Sequence, residues 1–235
     1  MREISILVPA YEEAENLPTL VEEIDKALSG WKYETIIIND GSNDGSTELI
    51  RKLEAGNGKI KGLFSEKRRG KTRAIQDGFR ESTGDIVVIM DADLQYAPED
   101  IPTLVDGLKD ADVVNGLRIK RQDGINRKLE SSIYNYLVRG FFDVDFGDCN
   151  SGLKVFKREV LGNLVDQLKE GWHRYLLVLA VKSGFKVAEM PIRHRKRLMG
   201  ESKYFSPSRL LRGFYDMTSV LISTSRTRKT SSRSS

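Results

Sequence analysis

A chain of 235 residues buries one good hydrophobic core with little left for a second. Its 38 basic and 34 acidic residues give a formal net charge of +4, and Arg226, Arg228, Lys229 and Arg233 near the end account for all of it; a near-neutral body excludes a uniformly basic nucleic-acid binder. The single cysteine, Cys149, excludes an intramolecular disulfide and fits a reducing compartment, while the only two histidines, His173 and His194, argue against a zinc cluster.

At the N-terminus Glu3 precedes a short apolar run, which reads as a buried strand rather than a signal peptide. No stretch reaches the roughly 18 apolar residues of a membrane-spanning helix. Ile4 to Val8, ended by Pro9, and Thr35 to Ile38, ended by Asn39-Asp40-Gly41-Ser42, are predicted as buried parallel strands. Between them Asn16 is the expected N-cap of a helix, Pro18 sits in its first turn, and Leu17, Leu20, Val21, Ile24 and Leu28 repeat at helical spacing. The alternation continues with a helix through Leu49, Ile50 and Leu53, a strand at 60–64, a helix through Ala74, Ile75 and Phe79, and a strand at 86–90. A helix with Ile101, Leu104, Val105 and Leu108 and a strand at Val113-Val114 follow. This order predicts an α/β fold with a Rossmann-like, doubly wound, mostly parallel sheet and helices on both faces. Ligands of such sheets bind beyond the carboxyl ends of the strands.

A basic run from Arg118 to Lys128 interrupts the regularity. Beyond it Leu129, Ile133, Leu137 and Phe141 step by four, with Tyr134, Val138 and Phe142 widening the apolar face of a helix expected to be buried in the core. A second wide-faced helix is predicted around Leu210, Leu211, Phe214, Met217, Val220 and Leu221. The chain therefore divides into a main domain over 1–205, a C-terminal amphipathic helix over 206–225, and a basic tail over 226–235 expected to be disordered.

Asp91 and Asp93 directly follow the fourth strand, with Gln95 two positions on. Two carboxylates at the mouth of a sheet suit a hard cation, Mg2+ or Mn2+, which takes oxygen ligands and completes its shell with substrate phosphates. The first loop lacks the Gly-x-Gly-x-x-Gly spacing of a dinucleotide site. Instead Pro9, Ala10, Tyr11 and Glu13 offer an aromatic face for a base and a carboxylate for ribose hydroxyls, and Asp40 can accept from a base N–H.

Together these segments resemble the family 2 glycosyltransferases, in particular the dolichol- and polyprenol-phosphate sugar transferases. The likeness runs from about residue 4 to 215 through Val-Pro-Ala-Tyr-Glu-Glu (8–13), Asn-Asp-Gly-Ser-Asn-Asp-Gly-Ser (39–46) and Asp-Ala-Asp-Leu-Gln (91–95). It continues through Gly-Leu-Arg (116–118), Arg-Lys-Leu-Glu-Ser (127–131), Asp-Cys-Asn-Ser-Gly (148–152) and Arg-Leu-Met-Gly-Glu-Ser-Lys-Tyr (197–204). Asn39 departs from the family's usual aspartate.

The resemblance implies a GT-A-type fold and an inverting transfer of a sugar to a polyprenyl or dolichyl phosphate, with mannose from GDP-mannose as the leading donor. It places Pro9, Ala10, Tyr11, Glu13, Asp40, Lys71, Asp91, Ala92 and Asp93 at the nucleotide-sugar, and Asp91, Asp93 and Gln95 at the metal. Arg118, Arg127, Ser131 and Arg197 are implied at the acceptor phosphate, and Asp148 as a base or a sugar-orienting group. Because a polyprenyl chain stays in lipid, the protein is expected at the cytoplasmic face of a membrane, bound peripherally, with room for a membrane-protein partner. The rival readings are a UDP-sugar donor, a non-phosphate acceptor, and, more distantly, a non-catalytic nucleotide-sugar binding module.

Overall fold

The structure, a computed structural model, describes residues 3–119, 125–196 and 215–223, with the backbone alone described for 125–130. In chain order the elements are β1 (Ile4–Ala10), α1 (Leu17–Ala27), β2 (Tyr33–Asn39), α2 (Ser46–Gly56), β3 (Ile60–Phe64), α3 (Lys71–Glu81) and β4 (Ile86–Met90). Then follow α4 (Ile101–Asp106), β5 (Val113–Arg118), α5 (Ile125–Phe142), β6 (Leu153–Lys157), α6 (Arg158–Val165), α7 (Leu176–Lys182) and β7 (Val187–Ile192). A last helix, α8, covers 215–223.

One seven-stranded sheet runs in the order β3-β2-β1-β4-β6-β5-β7. Its central strands read as continuous apolar runs because both faces are covered. Ile4, Ile6, Val8, Ile37, Val88 and Met90 face a core closed by α1, α2 and α4. With the alternation of a pleated strand, Leu7, Ile36, Ile38, Val87 and Ile89 face the opposite core, closed by α3, α5, α6, α7 and α8. Helices on both faces and a mostly parallel sheet agree with the sequence reading.

β6 is the exception to parallel pairing: it runs antiparallel to both β4 and β5. It therefore starts where β4 and β5 end, and the loop before it arrives at the mouth of the sheet. Neither β6 nor β7 was expected, and β5 extends past Val113-Val114 to Arg118, so that this arginine ends a strand.

Two local expectations need correction. Asn16 precedes α1 but makes no side-chain cap bond; its Nδ2 donates to Glu13 Oε2 at 2.5 Å. Among the described side chains of α5 the buried ones are Ser131, Asn135, Val138 and Phe142, whereas Ile133, Tyr136 and Phe141 are exposed at 50%, 71% and 44%. Val138 and Phe142 of the expected face are buried and Tyr134 and Leu137 pack partly buried against the core, while Ile133 and Phe141 are left outside; the Leu129 side chain lies outside the described residues.

Candidate active site

The Asp91–Gln95 loop begins where β4 leaves the sheet. The Asp91 N–H donates to Gly152 O at 3.2 Å, one step beyond the β4–β6 ladder. A Cβ on Gly152 would collide with the Asp91 carboxylate and the Tyr96 ring, so glycine is what lets that carboxylate lie against the chain. Leu94 turns the loop with φ 58°, and Asp93 Oδ1 accepts the Gln95 N–H at 3.2 Å. Asp91 and Asp93 are half-buried and Gln95 is buried. The Tyr96 hydroxyl accepts the Gly152 N–H at 2.7 Å, tying the loop to β6 from below.

Lys71, the first residue of α3, pairs through Nζ with Asp91 Oδ1. Among the described residues no group of three or more His, Cys, Asp or Glu side chains gathers anywhere. Two carboxylates, one countered by a single ammonium, form too small a set for a closed structural site. They fit a hard divalent cation that shares its shell with substrate phosphates.

The first two strand-end loops are knitted together. The Glu12 N–H donates to Ser42 Oγ and the Ala14 N–H to Asp44 Oδ2, both at 2.9 Å. Asn39 Oδ1 accepts the Ser42 N–H at 3.0 Å while its Nδ2 donates to Thr47 Oγ1 at 2.8 Å, so the amide ties the turn into α2. Asp40 is buried, and its two oxygens accept the N–H groups of Arg69 and Gly70 at 2.7 and 2.8 Å. The side chain first assigned to a base is thus holding the loop that delivers Lys71. Pro9 and Ala10 end β1, and the Tyr11 ring carries the Arg68 guanidinium 4.0 Å from its centroid. An aromatic face for a base is present, with a cation already stacked on it.

On the other side of Asp91 lies a buried charge network. Arg118 donates Nε and Nη2 to the two oxygens of Asp148 at 2.5 and 2.8 Å, with side-chain exposures of 8% and 4%. Asn115 donates to Asp148 O and to Glu189 Oε1, and Glu189 accepts the N–H groups of Gly147 and Asp148. Asn135 of α5 brackets the same loop, donating to Gly147 O at 3.0 Å and accepting the Cys149 N–H at 3.2 Å. Ser131 lies one helical turn before Asn135, and its Oγ is buried with no hydrogen-bond partner among the described residues. Arg118 and Asp148 lie close to Asp91, all three charges acting on the Tyr96 hydroxyl, and Ser131 lies one turn from the residue that brackets the loop at 147–149; the side chain of Arg127 and all of Arg197 lie outside the described residues.

Between these two sides the sequence reading had Lys71 and the run 148–152 but missed Lys154, His173 and Arg174. A cavity of about 180 Å3 is lined by Lys71, Ile75, Ile89, the run 149–152, Lys154, His173, Arg174 and Leu176. Lys154, 5% exposed, donates Nζ to Ser151 O, and burial together with the charge of Lys71 brings its pKa down to about 8. Burial also holds His173 well below its ordinary value, and its Nδ1 meets Thr72 Oγ1 at 2.8 Å. The Cys149 thiol is pushed up to about 12 by burial, which leaves it an unreactive wall residue. A lysine inside the apolar run Leu-Lys-Val-Phe was a visible signal for Lys154; nothing in periodicity marked His173 or Arg174.

Residues 5–165 match the profile of the glycosyl transferase family 2. The chain belongs to that family. Over 228 residues it is 32% identical to the undecaprenyl-phosphate 4-deoxy-4-formamido-L-arabinose transferase of Klebsiella pneumoniae strain 342, covering 95% of this chain and 69% of the relative. It is 34% identical over 225 residues to the enzyme of that name from Aeromonas hydrophila, covering 94% and 68%. The glycosyltransferase thus spans about two thirds of either relative. Its fold aligns with the mannosyltransferase PcManGT of Pyrobaculum calidifontis, solved with GDP-Man and Mn2+, at TM-score 0.60 and 24% identity over 81% of this chain and 55% of that one. It aligns with glucosyl-3-phosphoglycerate synthase of Mycobacterium tuberculosis, solved with UDP, at TM-score 0.67 and 20% identity over 95% and 80%. At such identities these neighbours establish the GT-A fold alone.

Proposed function

We propose that this glycosyltransferase moves a sugar from a nucleoside-diphosphate donor to the phosphate of a polyprenyl chain held in a membrane. What supports this reading is the mouth at the β4–β6 junction, where Asp91 pairs with Lys71 and the Arg118–Asp148 pair lies near by. Mg2+ or Mn2+ would be held by Asp91 and Asp93 with the Gln95 side chain as a further oxygen donor, and would neutralise the departing diphosphate. An acceptor phosphate monoester has a second pKa near ~6, so at neutral pH it is largely a dianion and needs no base. Its oxygen attacks the anomeric carbon, the bond to the donor diphosphate breaks, and configuration inverts in one displacement. With both oxygens of Asp148 accepting from Arg118, the carboxylate serves to orient that guanidinium toward phosphate rather than to remove a proton.

Exposed Ile119, Ile133, Tyr136, Phe141, Tyr215 and Ile222 supply apolar groups for peripheral binding at the cytoplasmic face of a membrane. The names of the two bacterial relatives favour a formamido pentose beside GDP-mannose among candidate donors. The deciding experiment is transfer from a panel of labelled nucleotide-sugars to a short polyprenyl phosphate, with Mg2+, with Mn2+ and with chelator. One donor should give product that chelation abolishes, and Asp91→Ala or Asp93→Ala should lower turnover at least ~10³-fold. Donor binding without polyprenyl product would remove the acceptor from this reading; a trapped glycosyl-enzyme would remove the single displacement.

A further inference from the structure

Asp91 has both of its carboxylate oxygens covered by this chain. Oδ2 lies so close to Gly152 that a Cβ there would collide with it, and Oδ1 accepts from Lys71 Nζ. With Oδ2 turned against the backbone, Oδ1 is the oxygen left for a cation, and it is the one that Lys71 takes.

Lys71 is fixed at its backbone and adjustable at its tip. The N–H groups of the two residues before it, Arg69 and Gly70, donate to Asp40 at 2.7 and 2.8 Å, and the Ala74 N–H donates to Gly70 O at 3.1 Å, which anchors the start of α3. From that anchor a flexible four-carbon stem carries a compact, strongly hydrated charge. The Lys71 and Asp91 side chains are 32% and 31% exposed, against 8% and 4% for Arg118 and Asp148. Water can take over from either partner when Lys71 and Asp91 separate, which it cannot do for the buried pair.

The charges around the pair decide what separates it. Lys154, which donates to Ser151 O, feels the carboxylates of Asp148 and Asp91 and the opposing charges of Lys71 and Arg118. A divalent cation arriving alone has to take Oδ1 from Lys71 and then sit among these positive groups. A nucleoside diphosphate arriving with it brings negative charge that offsets them, and offers the Lys71 ammonium phosphate oxygens in place of the carboxylate.

Resting on the metal and donor reading above, we infer that Lys71 is a placeholder for the metal: it competes with a divalent cation for Asp91 Oδ1, so the mouth takes the cation tightly only together with a diphosphate that draws the lysine away. Lys71 is thereby a positioning residue for Asp91, and it makes the two ligands of the mouth depend on one another. By linkage, the factor by which the nucleotide tightens the cation is also the factor by which the cation tightens the nucleotide.

The test is Mn2+ binding to the full chain, read from the electron paramagnetic resonance of unbound Mn2+, with no nucleotide, with UDP and with GDP. In the wild-type protein one of the nucleotides should tighten Mn2+ by about tenfold or more, as coupled sites do. Lys71→Met should bind Mn2+ without nucleotide about tenfold tighter than wild type, and the nucleotide should then add correspondingly less. Lys71→Arg, which restores the charge, should return to within about twofold of the wild-type affinity. Arg174→Gln removes a charge of the same cavity wall that makes no ion pair with Asp91, and should stay within the same margin. Unchanged Mn2+ affinity in Lys71→Met would overturn the inference while leaving the metal site standing. An equal gain in Arg174→Gln would also overturn it, since the general field and not the contact would then keep the cation out. So would a wild-type protein that binds Mn2+ as tightly alone as with either nucleotide. If Mn2+ binds none of these proteins with or without nucleotide, the metal reading itself fails and this inference falls with it.

Discussion

The two halves of the sheet build their polar sites by different means. In the parallel half, β3-β2-β1-β4, loop carboxylates are satisfied by backbone: Asp40 by the amides of Arg69 and Gly70, Asp44 by those of Ala14 and Ser46. Burial pushes the Asp44 carboxyl up, but the Ser46 hydroxyl and these amides outweigh it and hold it below the ordinary range. In the β6-β5-β7 half Glu189 is likewise held by amides, those of Gly147 and Asp148, but Asp148 takes the bonds of its two oxygens from a buried guanidinium, Arg118. A backbone amide survives every substitution except proline, whereas a buried ion can be orphaned by any change that removes its partner's charge. The second half should therefore be far more sensitive to single charge changes.

The largest expected effect tests this contrast directly. Arg118→Met or Asp148→Asn should each cost about 3–5 kcal/mol of stability by leaving one ion buried without its partner. The double variant should recover most of that loss while remaining inactive. Denaturant titration of the four proteins measures the coupling; simple additivity of the two losses would show that the pair is not self-contained and would dissolve the contrast.

Next in size is a substitution at the seam between the halves. Gly152→Ala should displace the Asp91 carboxylate and lower kcat by about 10²-fold, the usual cost of moving a reacting group by an ångström. Gly56→Ala, where nothing lies within 4 Å of the added methyl, is the control and should leave turnover unchanged. Steady-state kinetics separates them, and an unimpaired Gly152→Ala would mean that the Asp91 position in the free protein is not the one used in transfer.

The same contrast explains what was legible in the sequence. Strands β1, β2 and β4, and the loops after them, announced themselves as an apolar run ending in polar residues, because each is local in the chain. Ser42, Asp44 and Asp40 could be placed at the mouth of the sheet from that pattern alone. The antiparallel β6 could not, since its direction is decided by pairing with β4 across more than 60 residues of chain. Without β6 there was no way to see Gly152 against Asp91, or Glu189 beneath the loop at 147–148. The α5 face was legible only in part, for a related reason. Val138 and Phe142 are buried in the second core, Phe142 beside the Tyr175 ring, while Ile133 and Phe141 of the same expected face are exposed, and sequence periodicity cannot say how much of a wide apolar face finds a neighbour.

The smallest effect concerns the cost that the second half carries for its site. Lys154 has a folded-state pKa near 8 against an ordinary 10.5, with burial the leading cause. Between those values the unfolded chain binds more protons than the folded one, so stability rises with pH through that window. Below pH 8 the ammonium is charged in both states and the folded protein bears its desolvation in full. Lys154→Met removes that burden, and should raise stability by about 1–3 kcal/mol at pH 7, with the gain shrinking as pH climbs from about 8 toward 10.5. Denaturation at pH 7 and pH 9.5 reads the difference. A gain that is the same at both pH values would mean that the lysine does not bear a desolvation cost in the folded state, and the two halves of the sheet would then differ in wiring but not in the stability they give up for their chemistry.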